Sequence, residues 1–95
     1  MTNPFEREMT ITHKEFLRLL PKAIGGLSYE KVDNIISIRD EPRSIQIRLS
    51  TESIRKLSSL VLPVTNVSIE LKGFCDSDEK RFMSRFDLSY QKGGG

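Results

Sequence analysis

An alternating pattern of apolar residues across the stretch KVDNIISIRDEPRSIQIRLS constrains the fold more than any other feature of the sequence. The apolar positions alternate with polar ones on both sides of RDEPR: Ile36 and Ile38 before it, and Ile45, Ile47 and Leu49 after it. A two-residue period puts these side chains on one face of a strand, and a short polar connection predicts a β-hairpin. The apolar face of such a sheet has to be covered, so we expect helices elsewhere in the chain.

The segment ITHKEFLRLLPKAIGG carries the start and stop signals of a helix. Thr12 and Glu15 have the spacing of a capping box, in which each side chain bonds the other's otherwise unpaired backbone N–H. The apolar residues that follow fall on one helical face. Pro21 has no N–H to donate, so we expect a kink or a break there, and Gly25-Gly26 should end the helix.

Two more elements are predicted between the hairpin and residue 73. The apolar residues of ESIRKLSSLVL recur at helical spacing (Ile54, Leu57, Leu60 and Val61), which predicts a second helix capped by Ser50 or Thr51. Pro63 should stop this helix. The segment TNVSIELKG then alternates again and predicts a third strand.

The final stretch, CDSDEKRFMSRFDLSYQKGGG, fits both a strand and a helix by periodicity. Its ends favour a helix, because Asp76 and Glu79 repeat the cap-plus-three spacing and acidic residues fill the first turn. Lys92 stands in the last turn and Gly93 just beyond it. We therefore interpret the glycines as the point where a helix stops.

Together these elements predict a single small α+β domain with the order α-β-β-α-β-α. Its three-stranded sheet should have helices packed on one face and polar residues on the other. Residues 1–10 are expected to be a flexible N-terminal segment, residues 11–92 the domain, and residues 93–95 a glycine tail.

Charge and cysteine content exclude several classes of protein. Fifteen basic and thirteen acidic residues give a net charge of +2, which permits a polyanionic partner without requiring one. A single cysteine excludes an internal disulfide, and no apolar run reaches the roughly 20 residues that span a bilayer. We expect a cytoplasmic protein with no membrane contact.

No set of residues predicts an enzyme, a metal site or a cofactor. Cys75 lies near a helix start but is surrounded by acidic residues, which oppose thiolate formation. His13 is the only histidine and has no companion ligands at metal-site spacing. We therefore predict no catalytic, cofactor-binding or metal-ligating residues, and an enzyme is the less favoured class.

Three functional hypotheses remain from the sequence. The favoured one is a non-enzymatic accessory or protein-interaction module, paired with another protein or with itself as a homodimer through an aromatic cluster of Phe82, Phe86 and Tyr90. The second is nucleic-acid or polyanion binding by basic residues of the first helix and the hairpin: Lys14, Arg18, Lys22, Arg39, Arg43 and Arg48. The third is a ubiquitin-like or sulfur-carrier protein that uses the C-terminal glycines as its reactive tail.

Overall fold

The hairpin predicted from the alternating isoleucines forms the middle of an antiparallel sheet. The computed structural model describes residues 4–93, and within this range the chain forms six strands and two helices. In chain order they are β1 (Phe5–Met9), α1 (His13–Ala23), β2 (Tyr29–Val32), β3 (Ile35–Asp40), β4 (Arg43–Leu49), β5 (Ser53–Leu57), β6 (Leu60–Lys72) and α2 (Asp76–Gly93). The sheet order is β1-β6-β4-β3-β2, and β5 pairs with β6. The α+β class is confirmed.

The register of β3 and β4 puts the predicted apolar residues together on one face. Ile36 lies opposite Ile47, and Ile38 lies opposite Ile45. All four side chains are buried. The predicted third strand is confirmed as the second half of β6, where Ile69 and its alternate neighbours extend the same buried face.

Strands β4 and β5 form one long strand that is interrupted by a bulge. Leu49 lies opposite Val67, whereas Ser53 lies opposite Val64. Three residues, 50–52, therefore face only two, 65–66, across the pair. One extra residue on one strand defines a β-bulge, which bends the ribbon locally. Beyond the bulge, β5 and the first residues of β6 continue as a two-stranded ribbon that no other described strand joins.

The start of α1 forms one of the two bonds of the predicted capping box, and its end follows the predicted glycine signal. Glu15 donates its backbone N–H to the Thr12 hydroxyl at 3.1 Å, so Thr12 is confirmed as the N-cap, while the Glu15 carboxylate pairs with Arg18. At the other end Gly26 donates its N–H to the Pro21 carbonyl at 2.8 Å. Gly25 and Gly26 have φ of +71° and +82°, a backbone region that glycine adopts without steric cost. The helix continues through Pro21 to Ala23, so a break there, one of the two expected outcomes, is wrong.

The C-terminal segment is a helix, as its end signals predict. Its first helical hydrogen bond runs from the Glu79 N–H to the Cys75 carbonyl at 2.9 Å, so Cys75 and not Asp76 occupies the cap position. Gly93 is the last helical residue and lies inside α2 instead of just beyond it. The remaining tail residues, Gly94 and Gly95, lie outside the described residues.

Aromatic contacts between the helices close the core over the sheet. The rings of Phe16 in α1 and Tyr90 in α2 stack with centroids 4.7 Å apart, and the Tyr90 hydroxyl donates to the Phe16 carbonyl at 2.9 Å. Phe86 packs against both rings. Burial raises the pKa of Tyr90 above its ordinary value, because the apolar surroundings disfavour the phenolate.

The predicted helix over residues 52–62 is wrong, because this segment forms β5, a turn and the start of β6. Leu57 and Leu60 lie directly opposite each other on β5 and β6, and the two turn residues Ser58 and Ser59 connect them. This geometry explains their spacing of three in the sequence. Ser58 adopts φ +59°. Pro63 lies within β6 opposite Ile54, and a missing N–H is tolerated at a strand edge.

Two short edge strands also correct the expected sheet. Residues Phe5–Met9, expected to be flexible, pair with β6 as β1, and β2 pairs with β3 at the opposite edge. The sheet is therefore wider than three strands, and the element order α-β-β-α-β-α is wrong. Among residues 4–93, no helix is long and apolar enough to cross a membrane.

Candidate interaction surface

The most exposed apolar surface of the molecule is the ribbon of residues 53–64, which we call the arm. It comprises β5, the Ser58-Ser59 turn and the first five residues of β6. Four large apolar side chains are more than half exposed on it: Ile54 at 68%, Leu57 at 51%, Leu60 at 60% and Val61 at 59%. Folded monomers rarely leave several such residues side by side in water.

The arm is apolar on both of its faces. Lys56 lies opposite Val61, which puts Val61 on the same face as Ile54. Leu57 lies opposite Leu60 on the other face. Since each face carries two exposed apolar side chains, contact with one flat surface would leave one face in water. A binding partner that covers both faces has to enclose the arm or contact it on two sides.

Both outer edges of the arm lack a strand partner within the described part of the chain. β5 pairs with β6, and residues 60–64 of β6 pair with β5, whereas β1 and β4 join β6 from residue 65 onward. Unpaired strand edges present rows of backbone N–H and carbonyl groups that can bind another strand. The arm therefore offers backbone hydrogen bonds as well as apolar contact.

The charges on the arm are all positive. Its sequence, SIRKLSSLVLPV, contains Arg55 and Lys56 and no acidic residue. Arg55 forms an ion pair with Glu8 of β1 at 2.8 Å, which ties one side of the arm to the sheet. Lys56 is exposed next to the turn end of β5. A complementary binding partner would present apolar side chains together with carboxylates.

The start of α1 holds the base of the arm in place. The His13 Nε2–H donates to the Ser50 carbonyl at 2.7 Å, and the His13 backbone N–H donates to the Glu52 carboxylate at 3.0 Å. These contacts join the helix to the bulge at residues 50–52. On the adjacent strand Thr65 donates its hydroxyl to the Ile11 carbonyl at 2.8 Å. The direction of the arm is thereby fixed by side chains and not only by the strand ladder.

Removal of the His13 ring should loosen this base. We expect His13→Ala to lower the free energy of unfolding by about 0.5–1.5 kcal/mol, the usual net value of one hydrogen bond. Amide hydrogen exchange at Ser50 and Asn66, which bond to each other across the bulge, should accelerate. Urea denaturation and exchange mass spectrometry measure the two effects. Lys14→Ala, at the exposed neighbouring position, is the control and should change neither the free energy of unfolding nor the exchange rates. Unchanged exchange in His13→Ala would show that the His13 ring does not hold the base of the arm.

A groove runs between β1 and α2, which we call the β1–α2 groove. It consists of two cavities of about 540 and 510 Å³ that share Asp87. At its middle the Arg7 guanidinium donates to both Asp87 oxygens, at 2.9 and 3.1 Å, and this hydrogen bonding raises the pKa of Arg7 despite its partial burial. One end lies at Phe5 and Asp76, and the other at Met9 and Tyr90, beside the base of the arm.

The basic residues proposed to bind polyanions fall on opposite sides of the molecule. Lys14, Arg18 and Lys22 lie on the exposed side of α1, which covers the buried face of the sheet. Arg39 and Arg48 lie on the other, open face, because they alternate with buried isoleucines. Arg18 is paired with Glu15. The sheet therefore separates the two groups, and they do not form one continuous basic track.

Arg43, the sixth basic candidate, is held by its own neighbours. It pairs with Asp40 and Asp78 and stacks over the Phe74 ring at 4.8 Å. Arg43 lines a cavity of about 310 Å³ together with Arg81 and Arg85. The two carboxylates offset much of the positive charge there.

The aromatic residues proposed as an interface belong mainly to the core. Phe86 and Tyr90 are buried against Phe16, and Phe82 is partly buried against Phe74. Of the three, Phe82 retains the most accessible surface. Among the described residues, the largest group of exposed apolar side chains lies instead on the arm, the segment whose spacing predicts a helix.

The remaining chemical candidates have structural contacts. His13 is part of the arm base, and the exposed Cys75 thiol lies 3.3 Å from the Ser77 hydroxyl at the start of α2. Within residues 4–93, no three histidine, cysteine, aspartate or glutamate side chains are grouped to hold a metal ion.

The fold and this surface define a small antiparallel α+β domain with a projecting β-hairpin arm. No protein-family model, curated protein or solved structure matches the chain.

One sequence signal could have identified the arm. Directly opposed leucines on both sides of a two-residue polar pair, LSSL, are consistent with a hairpin as well as with a helical turn. The usual Asn-Gly or Asp-Gly signature of such turns is absent from this segment.

Proposed function

We propose that the protein is a non-enzymatic interaction module that binds another polypeptide through its arm. The observation that carries this proposal is the exposure of Ile54, Leu57, Leu60 and Val61 on a ribbon with unpaired edges. A large apolar side chain contributes about 1.5–3 kcal/mol when fully buried, so covering four of them supplies a substantial part of a binding free energy. The cytoplasmic location expected from the sequence belongs to the same proposal.

The rigid base of the arm also supports a binding role. A ribbon held at its bulge by His13, Glu52 and Thr65 keeps its direction before a partner arrives. Binding then loses less conformational entropy than it would with a flexible loop. The arm thus combines apolar surface, free backbone groups and a fixed orientation, which are the features used in β-strand addition.

Polyanion binding receives less support from the geometry. The basic residues of α1 and those of the open sheet face point away from each other, so one extended phosphate backbone would reach only part of them. The carrier hypothesis concerns Gly94 and Gly95, which lie outside the described residues. Neither alternative accounts for the exposed apolar arm.

The proposal is tested with an arm variant that retains the fold. Ile54→Ser combined with Leu60→Ser places one polar residue on each face of the arm. A tagged wild-type chain is used to purify partners from the native host, and the partner identified by mass spectrometry is then titrated as a pure protein by calorimetry. We expect the arm variant to bind at least about tenfold more weakly, because two apolar contacts are lost.

Leu88→Ser is the matched control, because Leu88 is 65% exposed on α2 and outside the arm. This variant should bind the partner as the wild type does. Both variants should unfold within about 0.5 kcal/mol of the wild type, as exposed substitutions usually do. Equal partner affinity in the arm variant and in Leu88→Ser would reject the arm as the binding surface.

A further inference from the structure

We infer that the arm binds a second copy of this chain. The arm of one molecule lies in the β1–α2 groove of the other. This inference rests on the proposed function of the arm and names its partner. In the resulting pair, each molecule places its arm along the groove of the other. The argument comes from the charge, the length and the position of the two surfaces.

The groove has the charge opposite to that of the arm. Its lining contains two cations, Arg7 and Lys80, against five carboxylates: Glu8, Glu15, Asp76, Glu79 and Asp87. The arm carries no acid and two cations, of which Arg55 is paired with Glu8 of its own chain and Lys56 has no ion-pair partner within residues 4–93. Arg7 is paired with Asp87, Glu15 with Arg18, and Glu8 with Arg55 of the same chain's arm, whereas Asp76 and Glu79 have no ion-pair partner within the described chain. The excess negative charge is therefore concentrated at the Phe5 end of the groove.

The groove also offers apolar surface and a free strand edge. Phe5 and Met83 line the cavity at one end, and Met9, Ile11 and Tyr90 line the cavity at the other. β1 is the outermost strand on this side of the sheet, so the outer edge of β1 has no strand partner among residues 4–93, while the Glu6 carbonyl accepts a hydrogen bond from the Arg7 guanidinium. An incoming strand could pair with β1 while its apolar side chains enter the cavities.

The lengths and directions of the two surfaces agree with a closed pair. β1 and β5 each contain five residues. The arm projects from the sheet beside the Met9 end of β1. Met9 lies opposite Thr65 of β6, and residue 64, which comes just before Thr65, is the last residue of the arm. An arm that enters from the Met9 end of a second copy therefore carries its turn toward the Asp76 end.

That placement brings unlike charges together. Lys56 lies next to the turn end of β5, so it would approach the carboxylates of Asp76 and Glu79 on the second copy. The same operation sends the second copy's arm along the first molecule's groove. Such a reciprocal exchange is an isologous two-fold contact, which closes at two molecules and does not propagate into fibres.

Charge reversal across this contact tests the inference in the full chain. Sedimentation velocity over a range of protein concentrations should show a dimer for the wild type. Lys56→Glu and Glu79→Lys should each raise the dimer dissociation constant about tenfold, because each places like charges together. The double variant Lys56→Glu with Glu79→Lys restores the opposite signs and should recover most of the affinity.

Lys14→Glu is the control, because it reverses an exposed cation of α1 outside both surfaces and should leave the dimer unchanged. Circular dichroism checks that each variant is folded, and Asp76→Lys replaces Glu79→Lys if the latter loses helix. A wild-type monomer at every concentration, or a double variant no better than either single one, would overturn the inference.

The outcomes also separate this inference from the proposed function. A monomeric chain whose arm still binds a different, identified protein would reject the second copy as the occupant and retain the arm as a binding surface. A dimer that persists in Ile54→Ser/Leu60→Ser and in both charge reversals would place the contact elsewhere and reject the groove. A monomer without any arm-dependent partner would reject both proposals.

Discussion

Phe16→Ala is expected to lower the free energy of unfolding by about 3–5 kcal/mol, the range for truncation of a buried phenylalanine. The Phe16 ring is fully buried and lies between the two helices, stacked on Tyr90 and in contact with Phe86. Truncation leaves a cavity where α1 meets α2, and the surrounding structure relaxes only partly to fill it. Against a total of about 5–15 kcal/mol, the variant would be close to unfolding.

Urea denaturation followed by circular dichroism measures this loss. Phe16→Leu retains most of the buried apolar volume and should cost clearly less than Phe16→Ala. A loss below about 1 kcal/mol for the alanine variant would be incompatible with a well-packed contact between the helices and would contradict the packing of α1 on the sheet.

The second large effect is a contrast between two isoleucines of the same long hairpin. Ile47→Ala should lower the free energy of unfolding by about 2–5 kcal/mol, because Ile47 is fully buried under the helices and lies between Ile36 and Ile69 in the sheet. Ile54→Ala, seven residues after Ile47 and 68% exposed, should change it by no more than about 0.5 kcal/mol. Both substitutions remove the same atoms, so burial alone separates them.

Parallel urea titrations of the two alanine variants decide this contrast, measured at a protein concentration low enough to keep the chain monomeric. Comparable losses at both positions would mean that the arm is packed against its own chain, and its role as a binding surface would fail. The expected difference shows instead that the arm contributes little to the stability of the fold.

The different burial of Ile47 and Ile54 raises the question of why the arm carries apolar side chains that do not stabilise the fold. Residues that neither fill the core nor support a helix gain nothing from being isoleucine or leucine in an isolated monomer. Exposed strand edges with apolar side chains also carry an aggregation risk, which natural sheets usually reduce with charge or short length. An arm that is covered in a complex gains binding free energy from those residues and is protected by the same contact.

Local patterns determined much of the fold. The alternation around Ile36 and Ile47 specified the central hairpin, because a two-residue period can place all of these side chains on one buried face only in a strand. Thr12 specified the start of α1 through a cap that needs only neighbouring atoms. The acidic first turn specified a C-terminal helix for a segment whose periodicity alone was ambiguous.

Only the tertiary structure decided the arm and the edge strands, because their pairing depends on residues distant in the chain. A spacing of three between Leu57 and Leu60 fits one helical turn as well as two strands joined by a two-residue turn, so local sequence leaves the choice open. β1 contains only five residues and pairs with residues of β6 that lie 56 to 64 positions later in the chain. The bulge at residues 50–52, which sends the ribbon past the sheet, arises from a register difference between two strands and has no signature in either one alone.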